Sequence, residues 1–260
     1  MSLLVVGVAG RGLVDPAAPV FTADDQALLR GSAAFETLRT YDGVPFLLER
    51  HAERFRFSID ALALPPADGL EQLVALVVAA SPPDHVLRLY RTDDTLVATA
   101  AALPGDLDAI RAKGLTLHSV DIGAPSLLAG VKSTSYADQF AARRRAASLG
   151  GDDALLVARG RVLEATTANI WWRRGEALYT PSTESGVLAG VTRSLVLEVA
   201  DVEEGTFELA DLAAADEAFT TSSIREVMPV VALDGRPVGD GAPGSAAARL
   251  QAALRLRSRR

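Results

Sequence analysis

Apolar and polar residues alternate along much of the chain, and this alternation predicts a protein rich in β-strands joined by hairpins. Strands are expected over residues 3–8, 34–41, 44–48, 85–92, 95–101, 115–121, 154–158, 161–164, 170–173, 177–180, 217–221 and 227–233. The strongest hairpin signal is Asp42-Gly43, a turn dipeptide that lies between two β-prone runs.

Other segments carry apolar residues at a spacing of about 3.6, which is typical of amphipathic helices. These segments are residues 49–62, 69–80, 136–149, 192–199 and 245–255. The breaker sequence Gly123-Ala124-Pro125-Ser126 indicates a linker over residues 122–126. We therefore predict an α+β (mixed α/β) protein with a small N-terminal domain, residues 1–121, and a larger C-terminal domain, residues 127–260, rather than a doubly wound sheet.

Composition excludes several classes of protein. The 260-residue chain has no cysteine, which excludes disulfides and thiolate catalysis, and its three histidines leave little material for a zinc site. We expect a soluble, cytoplasmic protein, because no apolar run approaches the roughly 20 residues of a membrane span and the run 3–8 lacks the basic leader of a signal peptide. A net charge of −7 gives no support to nucleic-acid binding.

Lysine is scarce in this chain. Of the 26 Lys and Arg residues, only Lys113 and Lys132 are lysines. Arginine stays protonated, whereas a lysine with a lowered pKa presents a free amine that condenses with a carbonyl group. Lys113 lies at the expected end of a helix, where a cation has a structural role. Lys132 precedes three hydroxyl residues and a tyrosine, which makes it the candidate Schiff-base lysine, with an exposed loop lysine as the alternative.

Three further segments carry groups suited to a phosphorylated aromatic cofactor. Residues 188–193 form a turn that opens a helix and include Thr192, which could bind phosphate or simply cap the helix. The hydroxyl cluster at 220–223 follows a strand and could also bind phosphate or cap a turn. Glu164 ends another strand, where an exposed carboxylate is the commoner case. Together with Lys132, these groups are the parts that pyridoxal phosphate requires.

Short motifs between Gly31 and about Gly235 follow an order that resembles the fold-type IV pyridoxal-phosphate enzymes, which comprise branched-chain aminotransferases, D-amino acid transaminases and aminodeoxychorismate lyases. The motifs are Phe35-Glu36-Thr37-Leu38-Arg39, Glu49-Arg50-His51-Ala52-Glu53-Arg54, Gly130-Val131-Lys132-Ser133, Val162-Leu163-Glu164 with Asn169-Ile170, Leu188-Ala189-Gly190-Val191-Thr192-Arg193, and Met228-Pro229-Val230 with Asp234-Gly235. The resemblance implies a two-domain enzyme with its active site between the domains, pyridoxal 5'-phosphate as the cofactor and a homodimeric assembly.

The resemblance also implies a role for each site residue. Lys132 would form the Schiff base with the cofactor and move the substrate proton, and Glu164 would pair with the pyridine nitrogen. The other implied cofactor-binding residues are Arg54, Thr192 and Ser223 with the backbone of Val191 and Ser222 at the phosphate, Leu188 under the ring and Tyr136 near the phenolic oxygen. A pyridinium kept protonated by Glu164 is the electron sink for the carbanion formed when Lys132 removes the Cα proton.

An amino-acid substrate needs a cation for its α-carboxylate, and the chain offers Arg30, Arg88 and Arg91. Arg88 and Arg91 are three residues apart in a predicted strand, so at most one of them points into the site. Phe35 stands where the familiar D-amino acid transaminase pattern has a tyrosine, and the longer arginine-bearing loop of that pattern is absent. This departure favours a carboxylate site based on Arg30, although a solvated loop charge is its simpler interpretation.

The predicted activity is transfer of an amino group between a D-amino acid and a 2-oxo acid such as 2-oxoglutarate or pyruvate, with (R)-amines as further donors. The alternative within the family is 4-amino-4-deoxychorismate lyase, which eliminates pyruvate; Asp93-Asp94 replaces the long arginine-bearing loop of that subgroup and counts against it. A non-catalytic binding module on the same fold is a second alternative, and the presence of Lys132 argues against it.

Overall fold

The chain divides into two compact units, Met1–Gly105 with Val131–Tyr136 and Asp106–Gly130 with Ala137–Arg260. The computed structural model describes residues 2–258. Within this range, the helices are all too short or too polar to cross a membrane. The mixture of helices and strands in two sheets confirms the predicted fold class.

The first unit contains an antiparallel sheet with helices packed on one face. Its elements are, in chain order, β1 (Leu3–Val8), β2 (Gly12–Val14), α1 (Gln26–Arg30), β3 (Ala34–Tyr41), β4 (Val44–Pro45), α2 (Leu48–Ala61), α3 (Leu70–Ala79), β5 (Val86–Arg91) and β6 (Leu96–Ala101). The strand order across the sheet is β2-β1-β6-β5-β3-β4, and each neighbouring pair is antiparallel.

The core of the first unit lies between this sheet and the helices α2 and α3. Successive side chains of β3 alternate between the two faces of the sheet, and its even-numbered residues are the buried ones. Leu38 from this set packs in one apolar cluster with Phe55 and Ile59 of α2, which are four residues apart and therefore share a helix face. A Cβ at Gly7 of β1 would lie 2.6 Å from Cγ2 of Val77, so glycine at this position allows α3 to pack closely.

The second unit contains a larger, mixed sheet. Its elements are α4 (Leu107–Lys113), β7 (Leu115–Asp121), α5 (Ala137–Ser148), β8 (Asp153–Ala158), β9 (Arg161–Ala165), β10 (Asn169–Arg174), β11 (Ala177–Pro181), a 3₁₀ turn (Thr183–Ser185), α6 (Val191–Val199), β12 (Val202–Gly205), α7 (Leu209–Ala213), β13 (Glu217–Ser222), β14 (Glu226–Leu233), β15 (Arg236–Pro237) and α8 (Ser245–Arg257). The strand order is β12-β11-β10-β13-β14-β7-β8-β9, and β15 pairs with β14. Strand β7 is parallel to both β8 and β14, and β11 is parallel to β12.

Both faces of this sheet are covered. Trp171 and Trp172 are consecutive in β10 and point to opposite faces, and both are buried. The ring of Trp171 stacks on Phe219 with centroids 6.1 Å apart, and Trp172 meets the edge of Phe207 at 4.9 Å. The sheet therefore provides a rigid base for β9, β10 and β13, which carry three of the polar groups described below.

Most of the predicted elements are confirmed. The expected strands 3–8, 34–41 and 115–121 coincide with β1, β3 and β7. The expected strand 44–48 is too long, because Leu47 has a left-handed backbone (φ 53°) and α2 begins at the next residue. The pattern did not predict β2, β12, β15 or α7, whose length is five residues or fewer, too short for a period to be recognised.

The division into units differs from the domain limits expected from the sequence. Helix α4 and strand β7 belong to the second unit, since β7 pairs with β8 and β14. The segment Val131–Tyr136 belongs to the first unit, since Ser133 forms a β-bridge with Ala34. The breaker sequence at 122–126 therefore lies within the second unit, and the chain passes between the units more than once.

Candidate active site

The Lys132 segment is held by the backbone of the first unit. Phe35 N–H donates to the carbonyl oxygen of Lys132 at 2.9 Å, and Thr134 N–H donates to the carbonyl oxygen of Ala33 at 2.9 Å. Lys132 N–H donates to Oγ of Ser58 on α2 at 3.0 Å. The backbone of Lys132 is therefore fixed against both β3 and α2.

The hydroxyl residues that follow Lys132 also have structural partners. Oγ1 of Thr134 and Oγ of Ser135 donate to the carbonyl oxygen of Gly31 at 2.9 and 3.0 Å. Gly31 itself has φ 68°, and a Cβ there would lie 3.0 Å from Cα of Ser135. Glycine is needed at this position both for its backbone conformation and for the close approach of the lysine segment.

The side chain of Lys132 lies against an aromatic cluster. Its Nζ is 4.4 Å from the ring centroid of Phe35. The ring of Phe35 meets the edge of Tyr136 at 5.3 Å and faces Tyr90 at 6.4 Å. Tyr136, predicted to lie near the cofactor, is thus positioned by the same ring that contacts Lys132.

The register of the first sheet separates the candidate carboxylate-binding arginines. Arg88 pairs with Thr37 and therefore shares the face of Phe35 and Tyr90. Burial raises the pKa of Tyr90, and the charge of Arg88 acts in the opposite direction. Arg88 is thus a cation on the sheet face that also carries the ring in contact with Lys132.

The other two arginines are placed differently. Arg91 lies on the helix-covered face, where its Nε donates to the carbonyl oxygen of Pro65 at 2.7 Å. Arg30 is exposed in the last turn of α1 and hydrogen-bonds to the side chain of Gln26. By sheet register Arg91 lies on the opposite face from Phe35 and Arg88, and the roles predicted for Arg30 and Arg91 stay predictions.

A buried charged array lies beside the Lys132 segment. Glu36, the residue after Phe35, is fully buried on the helix-covered face of β3. Arg54 donates from Nε to Oε1 at 2.7 Å and from Nη2 to Oε2 at 2.9 Å, and Nδ1–H of His51 donates to Oε2 at 2.9 Å. Glu36 and His51 lie in two of the sequence motifs, but no role was predicted for either residue. The available signal was a glutamate at a buried, otherwise apolar position of an alternating strand.

The titration of this array follows from burial and charge. Burial alone would raise the pKa of Glu36, but the charge of Arg54 and the hydrogen bonds from His51 and Arg54 lower it to about 2. Burial lowers the pKa of His51, and the hydrogen bond to Glu36 opposes that effect, while the charges of Arg54 and Lys132 add to it. At neutral pH the array is a carboxylate held by a guanidinium and a neutral imidazole.

Glu164 is held at the end of β9 in the second unit. Its Oε2 accepts from Nδ2 of Asn169 at 3.0 Å, and its Oε1 accepts from Leu188 N–H at 3.2 Å. Asn169 Nδ2 also donates to the carbonyl oxygen of Leu188 at 2.9 Å, so the amide links both groups. A Cβ at Gly190 would lie 2.1 Å from Oδ1 of Asn169, which explains the glycine. Hydrogen bonds to a carboxylate favour its charged form, as a partner for a protonated ring nitrogen requires.

Two hydroxyl-bearing turns of the second unit were predicted to bind phosphate. Gly190 is the N-cap of α6, so Val191 and the buried Thr192 lie in its first turn, where backbone N–H groups lack intrahelical partners. Such a helix start favours anions. Ser222 and Ser223 lie at the end of β13, and Oγ of Ser222 accepts from the N–H of Arg225 at 3.3 Å.

The turn after β13 is supported by two residues that were not predicted from the sequence, Arg225 and Asp153. Nη1 of Arg225 lies 3.5 Å from Oδ2 of Asp153, a buried carboxylate at the start of β8. Oδ1 of Asp153 accepts from the hydroxyl of Thr166 at 2.5 Å. These contacts tie the turn after β13 to β8, and neither residue stood out in the sequence because a single Asp or Arg carries no spacing signal.

These groups fit pyridoxal phosphate. The first unit contains an amine fixed at its backbone and an arginine, and the second unit, described by itself, contains a hydrogen-bonded carboxylate, a helix start and hydroxyl groups. An amine for the aldehyde, a carboxylate for the ring nitrogen and N–H and hydroxyl donors for the phosphate are the donor set that the cofactor demands. Fold and donor set together define a pyridoxal-phosphate enzyme of mixed α/β architecture.

The chain belongs to the class IV aminotransferases. The family model described as Amino-transferase class IV matches residues 33–233. The chain is 30% identical to aminodeoxychorismate lyase of Bacillus subtilis (strain 168), with 88% of this chain and 87% of that protein covered. It is 28% identical to D-alanine aminotransferase of Bacillus licheniformis, with 89% of each covered.

Solved structures agree with this family. The fold is similar to that of a hypothetical aminotransferase from Mycobacterium tuberculosis in its alpha-ketoglutarate and PMP bound form, with a TM-score of 0.89, 26% identity and 98% of each chain covered. A PLP-bound form of that protein matches with a TM-score of 0.87. The family depends on pyridoxal phosphate, which confirms the predicted cofactor.

Proposed function

We propose that this protein is a transaminase that moves an amino group between a D-amino acid and a 2-oxo acid such as 2-oxoglutarate or pyruvate. The observation that carries the proposal is the grouping of an amine, an aromatic ring and a cation in the first unit: Lys132 contacts Phe35, and Arg88 shares the sheet face of Phe35. The similarity to D-alanine aminotransferase of Bacillus licheniformis supports the D-amino acid as donor.

Lys132 is proposed as the residue that would hold the cofactor aldehyde and take the proton from the substrate Cα. The backbone of Lys132 is hydrogen-bonded to Ser58 and Phe35, which fixes the Cα atom from which the side chain extends. The positions that the amine can reach are restricted by the length of that side chain. The amine has to be neutral when it condenses with the cofactor aldehyde.

The proposed cofactor-binding residues are those that the order of the sequence motifs implied. Glu164 keeps the pyridine nitrogen protonated, and Asn169 and Leu188 N–H hold the Glu164 carboxylate. Bound pyridoxal phosphate supplies the electron sink for the electrons that remain when the substrate Cα proton leaves. The proposed phosphate-binding groups are Arg54, Thr192 and Ser223 with the backbone N–H groups of Val191 and Ser222, and Leu188 and Tyr136 are proposed to pack beside the ring.

Arg88 is the proposed partner of the substrate α-carboxylate. It is preferred to Arg91 because Arg91 lies on the opposite face and donates to Pro65. It is preferred to Arg30 because Arg30 is exposed on α1 and hydrogen-bonds to Gln26. A charge-assisted contact of this kind contributes on the order of 1.5–3 kcal/mol.

A second candidate function is 4-amino-4-deoxychorismate lyase, which releases pyruvate and 4-aminobenzoate. The observation that favours it is the 30% identity to aminodeoxychorismate lyase of Bacillus subtilis (strain 168). Both activities use the same lysine and cofactor, so the donor set alone does not separate them. Under either function we propose a homodimer, which sedimentation equilibrium of the purified protein would test.

A paired assay separates the two functions. The protein loaded with pyridoxal phosphate is mixed with single D- and L-amino acids, and the loss of the visible cofactor absorbance is followed together with 2-oxo acid release. The proposal predicts conversion by one or more D-amino acids and return of the absorbance on adding a 2-oxo acid. Release of 4-aminobenzoate from aminodeoxychorismate, with no response to any amino acid, would establish the lyase instead.

A further inference from the structure

Glu36 is a carboxylate in an unfavourable place. It lies in β3 among the buried residues Ala34, Leu38 and Thr40 and has no exposed surface. A buried charge is expensive unless it is paired and hydrogen-bonded, and replacing such a pair by apolar residues is often neutral or stabilising. A buried ion pair at this position therefore calls for a role beyond packing.

The geometry of the pair restricts the orientation of Arg54. Two parallel N–H contacts, Nε to Oε1 at 2.7 Å and Nη2 to Oε2 at 2.9 Å, fix the plane of the guanidinium as well as its distance. His51 lies one helical turn before Arg54 on α2 and holds Oε2 from the other side at 2.9 Å. These contacts use one hydrogen of Nε and one of Nη2 out of the five N–H hydrogens of the guanidinium.

The array is joined to the reactive lysine. Ser58, four residues after Arg54 on α2, accepts from the N–H of Lys132 at 3.0 Å. Glu36 directly follows Phe35, whose N–H donates to the carbonyl oxygen of Lys132. The same two elements, β3 and α2, therefore hold both the guanidinium of Arg54 and the backbone of Lys132.

We propose that Glu36, supported by His51, is a positioning residue that holds the Arg54 guanidinium in the orientation required by the cofactor phosphate. This inference rests on the proposed function, which assigns Arg54 to that phosphate. The two parallel hydrogen bonds between Arg54 and Glu36 pre-organise the phosphate contact, because they hold the Arg54 guanidinium in the same orientation when no cofactor is bound. Glu36 therefore adds to the preference for pyridoxal phosphate over unphosphorylated pyridoxal without touching either molecule.

The test compares dissociation constants of pyridoxal phosphate and pyridoxal for the cofactor-free full chain. Both ligands have the aldehyde and the ring, and only pyridoxal phosphate has the phosphate. The ratio of the affinity for pyridoxal phosphate to the affinity for pyridoxal therefore isolates the contribution of the phosphate. Glu36→Gln removes the two parallel hydrogen bonds to Arg54 and should weaken binding of pyridoxal phosphate by about tenfold, the scale seen when residues that support metal ligands are removed. The affinity for pyridoxal should stay close to that of the unchanged protein.

Arg54→Ala should lower the ratio of affinities at least as much, and Glu36→Gln added to Arg54→Ala should lower it no further, because the two residues act through one contact. Thr40→Val is the matched control: Thr40 is buried on the same face of β3, and its hydroxyl serves Pro83 and His85 rather than Arg54. This variant should leave the ratio unchanged.

Two results would overturn the inference while leaving the proposed function intact. Equal weakening of both ligands by Glu36→Gln would mean a purely structural pair, and unchanged affinities for both ligands would mean that Arg54 needs no positioning. If Glu36→Gln does not fold, Arg54→Lys is used in its place. Lysine keeps the positive charge but cannot form the two parallel hydrogen bonds to Glu36, so the ratio of affinities should fall. An unchanged ratio in this variant would refute the inference. An unchanged ratio in Arg54→Ala would instead remove Arg54 from the phosphate and with it the premise.

Discussion

Replacing Arg54 by alanine is expected to destabilise the first unit, because the variant leaves the Glu36 carboxylate buried without its charged partner. Burial raises the pKa of Glu36, and Arg54 and His51 more than offset this and lower it from 4.5 to about 2. A displacement of this size corresponds to roughly 3 kcal/mol at neutral pH. Removing one partner of a buried pair generally costs about 3–5 kcal/mol, so both arguments give the same scale.

The loss of stability in Arg54→Ala is expected to depend on pH, and the pKa of Glu36 decides the direction of this dependence. Because the folded-state pKa of Glu36 is depressed, its contribution to stability is fully present above about pH 4.5 and is lost as the pH falls towards about 2. Without Arg54 the pKa of Glu36 should rise instead, since burial is no longer opposed by the guanidinium. The stability deficit of Arg54→Ala should therefore be largest near neutral pH and shrink in acid.

Native-state hydrogen exchange read by mass spectrometry measures this deficit locally. The amides of β3 and α2 report the first unit, whereas both tryptophans lie in the second unit and would report the wrong region. Adding Glu36→Gln to Arg54→Ala should restore part of the lost protection, because the carboxylate left unpaired is gone. A deficit that does not change between neutral and acidic pH, or a double variant less stable than Arg54→Ala, would refute the reasoning.

The remaining predictions concern the chemistry. Lys132→Ala and Lys132→Arg should both fold and bind pyridoxal phosphate without its lysine-linked visible absorbance, and turnover by either would contradict the assignment. Glu164→Gln should retain the cofactor and slow proton removal from the substrate, since a neutral amide does not stabilise a protonated pyridine; equal half-reaction rates would point to another residue. Arg88→Ala should lower kcat/KM for a D-amino acid by roughly ten- to a hundredfold and barely affect an (R)-amine, with Arg91→Ala as the matched control on the opposite face.

Local patterns were sufficient to predict most of the helices and strands. The two-residue alternation of β3 and the Asp42-Gly43 turn are local features, and the structure agrees with both. Lys132 stood out because the chain has so little lysine. The roles given to Lys132 and Glu164 came from the order of motifs and stay proposals, and the structure adds the hydrogen bonds that hold each of them.

Other features of the candidate site could not be predicted from the sequence, because they depend on strand register and on partners that are distant along the chain. Whether Arg88 or Arg91 faces Phe35 depends on how β5 pairs with β3, and residue spacing alone leaves both open. The partner of Glu36 lies 18 residues away on α2, a distance at which neither period nor turn chemistry gives information. The domain limits failed to match the two units for the same reason, since the Lys132 segment joins β3 through a long-range bridge.

The proposed function requires that the cofactor is linked covalently to Lys132. Because the chain contains only one other lysine, Lys113, the site of this link can be measured clearly. The protein is loaded with pyridoxal phosphate, reduced with borohydride, digested and examined by peptide mass spectrometry, with and without prior addition of a D-amino acid. The account predicts a phosphopyridoxyl group on Lys132 that becomes scarcer after the D-amino acid is added, and none on Lys113, the other lysine of the chain. A modified Lys113, or a Lys132 that stays unmodified while the cofactor is bound, would contradict it.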